Sequence, residues 1–190
     1  MNTAYELAKA EVGTVEWAKG SNPKVVAYYK DAGHPEIVDD ATAWCAAFVG
    51  AMLRRSGQAG TGSLAARSYL QWGKAVDLDD AKPGDIVVFK RGNSSWQGHV
   101  AFYVSHDAGT IAVLGGNQRD AVTVAKYGRV SLLGIRRAAL PSKPVAASKA
   151  PQVVINPTEP RHPTPSLFGD VLALLIDWIK NLLKGNRNVG

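Results

Sequence analysis

The chain has 190 residues, of which 46% are hydrophobic and 20% charged, a composition typical of a folded globular protein. The net charge of +6 is spread evenly: residues 1–137 carry 16 Lys/Arg against 13 Asp/Glu, and residues 138–190 carry 6 against 3. Without a dense basic patch, the sequence predicts no nucleic-acid partner. Its single cysteine excludes an internal disulfide and a thiolate metal cluster. The amino terminus lacks the pattern of a Sec signal peptide, so we expect synthesis in the cytoplasm without Sec export.

Three segments are predicted from a change in composition near residue 138. Seven of the ten prolines lie between Pro141 and Pro165, and so many prolines allow neither a continuous helix nor a central strand. We therefore predict a compact domain over residues 1–137, a semi-extended Pro-rich linker over 138–165 and a tail over 166–190.

The first half of the compact domain is predicted to be helical. Asn22 followed by Pro23 is a typical helix start, and Gly57 follows the strongest apolar periodicity in the chain. These signals predict four helices, over residues 3–11, 23–29, 44–56 and 64–72.

The second half is predicted to form short strands separated by turns that contain Gly, Asn or Asp. After a Pro-Gly-Asp turn, we expect strands over residues 86–90, 99–104, 110–115, 121–127 and 130–137. Helices followed by a run of antiparallel strands indicate an α+β domain with segregated layers.

Cys45 is predicted to lie in the first turn of the strongest helix. Unpaired backbone N–H groups and the helix dipole both favour a thiolate there. The structural alternative is that the cysteine packs in the core behind Trp44, since lone cysteines are often small buried residues.

His99 opens a strand directly after Gly98, where a histidine is well placed to act as a base. Alternation puts its side chain on the same face as Ala101 and Tyr103. The remaining histidines, which we expect to be solvated turn or linker residues, are His34, His106 and His162.

Asn117 follows a predicted strand in the segment LGGNQ. The paired glycines indicate a close backbone approach or unusual dihedral angles, although the segment also fits a simple hairpin turn. An amide oxygen here could accept a hydrogen bond from the histidine and orient its ring. The acidic pairs Asp39-Asp40 and Asp79-Asp80 could perform acid–base chemistry, but a solvated loop and a turn are the favoured interpretations.

A Trp-Cys pair that opens a helix, a PGDIVVF strand, then GHVAFYV and LGGNQ together resemble the NlpC/P60 and CHAP group of papain-like hydrolases. The segments WCAAFV and LGGNQ are most similar to its phage-associated branch. The resemblance covers roughly residues 4–137. It implies N-terminal helices packed on an antiparallel sheet, with Cys45 as nucleophile, His99 as base and Asn117 as the third polar residue.

The resemblance further implies a cysteine peptidase or amidase that cleaves an amide bond of bacterial peptidoglycan and needs no metal or organic cofactor. Trp44, Tyr103 and Gln118 are candidates for the substrate cleft, although core packing is an alternative for both aromatic residues. A phage or prophage endolysin acting on the wall is the leading interpretation. The alternatives are a secreted or virion-delivered toxin and a non-catalytic wall-binding or virion structural module.

The tail contains an apolar stripe interrupted by charged residues, which predicts an amphipathic helix over residues 166–184. The segment is short and charged for a transmembrane span, and its pattern is typical of a helix lying on a membrane surface. Docking on the domain or self-association is the alternative.

Overall fold

The computed structural model describes residues 2–139. Most of the predicted linker (138–165) and all of the tail (166–190), with its predicted helix over 166–184, lie outside the described residues. No helix within the described part of the chain is long and apolar enough to cross a membrane.

Three α-helices form the first half of the domain, and their ends follow the sequence signals. Asn22 caps α2 by accepting the Lys24 N–H at 2.9 Å, and Gly33 closes the same helix with a left-handed φ of 104°. The helices are α1 (Ala4–Ala10), α2 (Pro23–Ala32) and α3 (Cys45–Arg55). The second of these extends three residues beyond the predicted end.

The segment predicted as a fourth helix is a 3₁₀ helix over Ala66–Gln71. Its buried residues, Ala66 and Tyr69, are three positions apart, a spacing that matches the three residues per turn of this tighter helix. The helix predicted over 64–72 is therefore present as a shorter 3₁₀ helix.

Six antiparallel strands form one sheet in the order β1-β6-β2-β3-β4-β5. They are β1 (Lys74–Val76), β2 (Ile86–Lys90), β3 (Gly98–His106), β4 (Thr110–Gly115), β5 (Thr123–Gly128) and β6 (Leu132–Arg137). Strand β1 was not predicted because its three mostly exposed residues form no pattern and pair only with the distant β6. The predicted strand over 130–137 begins with a 3₁₀ turn. This α+β arrangement, with helices on an antiparallel sheet, confirms the predicted fold class.

The sheet has a hydrophobic core on each face. The first core joins the helices to one face of the sheet through residues such as Val88, Val100 and Phe102. The second core lies on the opposite face and contains alternate residues of the same strands, including Phe89 and Ala101.

The second core is closed by curvature of the sheet. Tyr127 on β5 stacks on Phe89 of β2 at 4.8 Å and on His99 of β3 at 5.0 Å between ring centroids. In a flat sheet these strands would be about 14 and 10 Å from β5. The sheet therefore curls, and His99 lies on its concave face.

Candidate active site

Cys45 is the first residue of α3, and its side chain is 6% exposed. The preceding residue, Trp44, makes no side-chain hydrogen bond to the start of the helix. No capping side chain therefore occupies the backbone N–H groups of the first turn. Three backbone groups favour the thiolate form of Cys45: Val100, Ala46 and Cys45 itself. Because Val100 follows His99 directly, the thiol lies beside the start of β3.

Burial of Cys45 disfavours the thiolate form, whereas the start of the helix favours it. Desolvation raises the pKa of the Cys45 thiol despite these favourable backbone contacts. Burial also lowers the pKa of His99 from 6.5 to about 4. Both shifts favour the neutral thiol and the neutral imidazole, because the helix terminus compensates only part of the desolvation of Cys45.

The ring of His99 is held by Gln118. The Nε2 atom of His99 lies 3.2 Å from the Oε1 atom of Gln118, while the amide nitrogen of Gln118 donates to the carbonyls of Gly115 at 3.2 Å and Thr123 at 2.5 Å. With its NH₂ group committed, Gln118 presents an acceptor to the ring. The hydrogen-bond pattern therefore assigns the proton to Nε2 and leaves Nδ1 as a free acceptor.

The free Nδ1 atom is buried and has no hydrogen-bond partner within residues 2–139. An unsatisfied buried nitrogen costs on the order of 1–3 kcal/mol, so its occurrence one residue before the backbone that contacts the Cys45 thiol is informative. The geometry thus offers a base with one nitrogen anchored and the other available.

Asn117, which was predicted to orient His99, does not make this contact in the structure. Its φ of 55° turns the backbone into the left-handed region, and the neighbouring Gln118 is 4% exposed and points inward. The amide contact expected of Asn117 is therefore made by Gln118, which was predicted only as a cleft residue.

The paired glycines before Asn117 make room for the site. A Cβ atom on Gly115 would lie 2.8 Å from the Cβ of Ala101 and 3.4 Å from the Nε2 of His99. A Cβ on Gly116 would come under 3.0 Å from the Trp44 ring. The close backbone approach predicted from the sequence is present at both glycines.

The two aromatic candidates for the cleft are core residues. Trp44 is fully buried, stacks on Tyr28 and donates its indole N–H to Glu16. Tyr103 is 5% exposed, belongs to the second core and contacts His106. Both positions follow the core-packing alternative.

The other candidate histidines and acids lie in local structures. The Nδ1 atom of His34 lies 2.9 Å from Glu36, and that of His106 lies 2.7 Å from the hydroxyl of Tyr103; His162 is outside the described residues. Asp40 is buried and accepts the Asn22 N–H at 2.9 Å, so the expected solvated loop does not hold for that residue. The second acidic pair ends a 3₁₀ turn over Leu78–Asp80. No group of three or more potential metal ligands occurs among the described residues.

Two further residues at the site, Tyr127 and Arg91, were not predicted from the sequence. Tyr127 stacks on His99 with an interplanar angle of 23°, a contact that only the curled sheet creates. Arg91 follows the end of β2, where Lys90 pairs with Gly98. Its positive charge lowers the pKa of Cys45 and of His99, so it favours the thiolate and opposes the imidazolium.

Comparisons with known proteins find one family model and solved structures that are similar to the chain. Residues 36–117 match the family model described as the CHAP domain, a range that includes Cys45 and His99 and ends one residue before Gln118. No curated protein sequence matches the chain.

Two solved structures are similar to the chain. One is the P60 domain of an antigen from M. avium subspecies paratuberculosis, at 15% identity and a TM-score of 0.47, with 72% of this chain and 93% of that chain covered. The other is described as similar to lipoprotein, of the NLP/P60 family, from Staphylococcus aureus, at 17% identity and a TM-score of 0.40, with 67% and 44% covered. Residues 36–117 are thus similar to a CHAP domain, the family whose model matches them.

Proposed function

We propose that this chain is a peptidoglycan hydrolase that cleaves an amide bond of the wall peptide, with Cys45 as nucleophile, His99 as base and Gln118 as the residue that orients the base. Domains of the CHAP and NlpC/P60 type are typically cell-wall amidases or peptidases. The observation that carries the proposal is the buried His99 ring, anchored through Nε2 and free at Nδ1, one residue before Val100, whose backbone contacts the Cys45 thiol at the start of α3.

The reaction begins from the neutral pair. Nδ1 of His99 accepts the thiol proton as Sγ of Cys45 attacks the substrate carbonyl, so the proton moves during the attack. The N–H groups at the start of α3 stabilise the oxyanion that develops. Gln118 accepts from Nε2 throughout and stabilises the imidazolium that forms.

Breakdown of the tetrahedral intermediate returns the proton. The imidazolium donates it to the leaving amine as the C–N bond breaks, which leaves a thioester on Cys45. A water molecule, deprotonated by His99, then attacks the thioester, and the thiol leaves as the carboxylic acid is released. No step requires a cofactor.

An endolysin of phage or prophage origin, acting on the wall, is the form of this proposal that the segments WCAAFV and LGGNQ support. A holin gene beside the coding gene is the expected genomic context. A toxin delivered by a secretion apparatus or virion would lack a neighbouring holin gene.

We also propose that residues 166–184 bind a membrane surface. The full chain should then co-sediment with liposomes, and a 1–165 truncation should lose this binding.

The proposal is tested by incubating the full chain, and its Cys45→Ala variant, with isolated peptidoglycan and identifying the released fragments by mass spectrometry. We expect fragments with a new amine and a new carboxylate from the wild-type protein only. Binding to peptidoglycan without fragments, across walls of several chemotypes, would instead indicate a non-catalytic wall-binding module.

A further inference from the structure

A cleft of about 650 Å³ adjoins the candidate active site along the edge strand β5. Its lining includes Gln118 and Tyr127, the two residues that contact the His99 ring. A group bound in this cleft would therefore lie next to the residues that hold the proposed base.

The cleft is positively charged. Arg119 and Lys126 are among its lining residues, and none of those residues is acidic. Lys126 already pairs with Asp107 at 3.5 Å. Arg119 is exposed and forms no salt bridge within residues 2–139, even with the neighbouring Asp120.

The backbone holds Arg119 in place before any ligand binds. Its φ of 55° is left-handed, a conformation that is uncommon for a residue with a long side chain. The N–H of Gln118 donates to the carbonyl of Ala121 at 3.0 Å, and the N–H of Glu16 donates to the carbonyl of Asp120 at 2.8 Å. These bonds fix the loop backbone so that Gln118 points into the protein while Arg119 lines the cleft, and only the Arg119 side chain has to be ordered on binding.

Resting on the proposed function, we infer that this cleft binds a carboxylate-bearing part of the wall stem peptide and that the guanidinium of Arg119 recognises the carboxylate. A planar guanidinium can donate two parallel hydrogen bonds to a carboxylate, whereas a carboxamide offers one neutral oxygen. The same position on the peptide, present as acid or as amide, should therefore be discriminated.

The test uses matched stem peptides in which one carboxylate at a time is replaced by a carboxamide. For at least one pair, the wild-type chain should cleave the acid with a kcat/KM about tenfold above that of the amide, and the Cys45→Ala variant should bind the acid more tightly. The Arg119→Gln variant should lose this preference by a fall in kcat/KM on the acid. Arg54→Gln removes the same charge from an exposed position at the far end of α3 and should retain the preference.

The outcomes separate the two proposals. If no peptide in the set is cleaved, the proposed hydrolase function fails, while binding by Cys45→Ala still reports on the cleft. Cleavage without an acid preference in any pair, or a preference that persists in Arg119→Gln, overturns the role of Arg119 alone.

Discussion

Strand β3 carries a histidine near each end, and the surroundings of the two rings differ in every respect that matters for catalysis. His99, at the start, is 2% exposed, lies against Tyr127 and has one nitrogen anchored to Gln118. His106, at the end, is half-buried, and its Nδ1 contacts the hydroxyl of Tyr103 three residues earlier in the strand. This difference favours His99 as the proposed base, because its ring is anchored through Nε2 while its Nδ1 has no partner within residues 2–139.

The surroundings of the start of β3 come from both faces of the sheet. Helix α3 brings Cys45 from the first core, and the curl of the sheet brings Tyr127 from the second. Gly115 lies against His99, and Gly116 lies against Trp44. The other end of β3 has only a turn beyond it.

The sharpest test of this comparison exchanges each histidine for glutamine. We expect His99→Gln to lower kcat/KM on a wall peptide about 10³-fold, within the 10²–10⁴ range of general acid–base catalysis, because glutamine cannot carry the proton. His106→Gln should remain within about twofold of wild type. Both variants should be compared by circular dichroism, so that loss of fold is distinguished from loss of the base. Equal losses of kcat/KM in the two variants would show that His99 is no more important for the reaction than His106.

The same pair of variants tests the effect of burial on stability. The folded-state pKa of His99, about 4, lies below the ordinary 6.5, so between these pH values the unfolded chain binds a proton that the native chain does not. Stability should therefore fall as the pH drops from 6.5 to 4, with a contribution from His99 of about 3 kcal/mol at most. Denaturant titrations at pH 7 and pH 4 should show this loss in wild type and in His106→Gln but a smaller one in His99→Gln. An unchanged loss in His99→Gln would rule out the lowered pKa.

The glycine pair Gly115-Gly116 provides a test of packing at the end of β3 that carries His99. Gly116→Ala should lower the free energy of unfolding by about 1–3 kcal/mol, because the added methyl group meets the Trp44 ring and the Cβ of Phe48. Gly109→Ala, in the turn beyond His106, is the matched control: its Cβ would meet only Asp107, at 3.9 Å. Chemical denaturation measures both, and an equal effect of the two substitutions would show that the tight packing is absent.

Replacement of neighbouring amides separates the two candidates for the orienting residue. Gln118→Leu should reduce kcat about 10–100-fold, because the His99 ring loses the acceptor that fixes its tautomer, and the pH profile should shift with it. Asn117→Asp, which tolerates the left-handed backbone, should change kcat less than about threefold. The reverse order of effects would return the orienting role to Asn117.

Most of the helical layer could be predicted from the sequence because its signals are local. Asn22, Pro23 and Gly33 set the ends of α2 within the chain segment itself. The alternation in β3 likewise placed His99 and Tyr103 on one face. Strand β1 could not be predicted, since it exists only through its pairing with β6, about 60 residues away.

The sequence motifs that form the candidate site could be predicted, but the individual side-chain contacts within it could not. The segment LGGNQ indicates an amide near the histidine, yet a single left-handed residue decides whether Asn117 or Gln118 faces the ring. The stacking of Tyr127 depends on the curvature of the whole sheet, and the protonation states of Cys45 and His99 depend on their burial. Such properties arise from tertiary structure and leave no local sequence pattern.

The proposed nucleophile is Cys45, and the most direct measurement of that role is the rate of amide cleavage by Cys45→Ala on a soluble wall peptide. If the thiol forms the covalent intermediate, the variant should remain folded and bind the peptide while its rate falls at least about 10³-fold. Cleavage by the folded variant within tenfold of the wild-type rate would show that Cys45 is not the nucleophile.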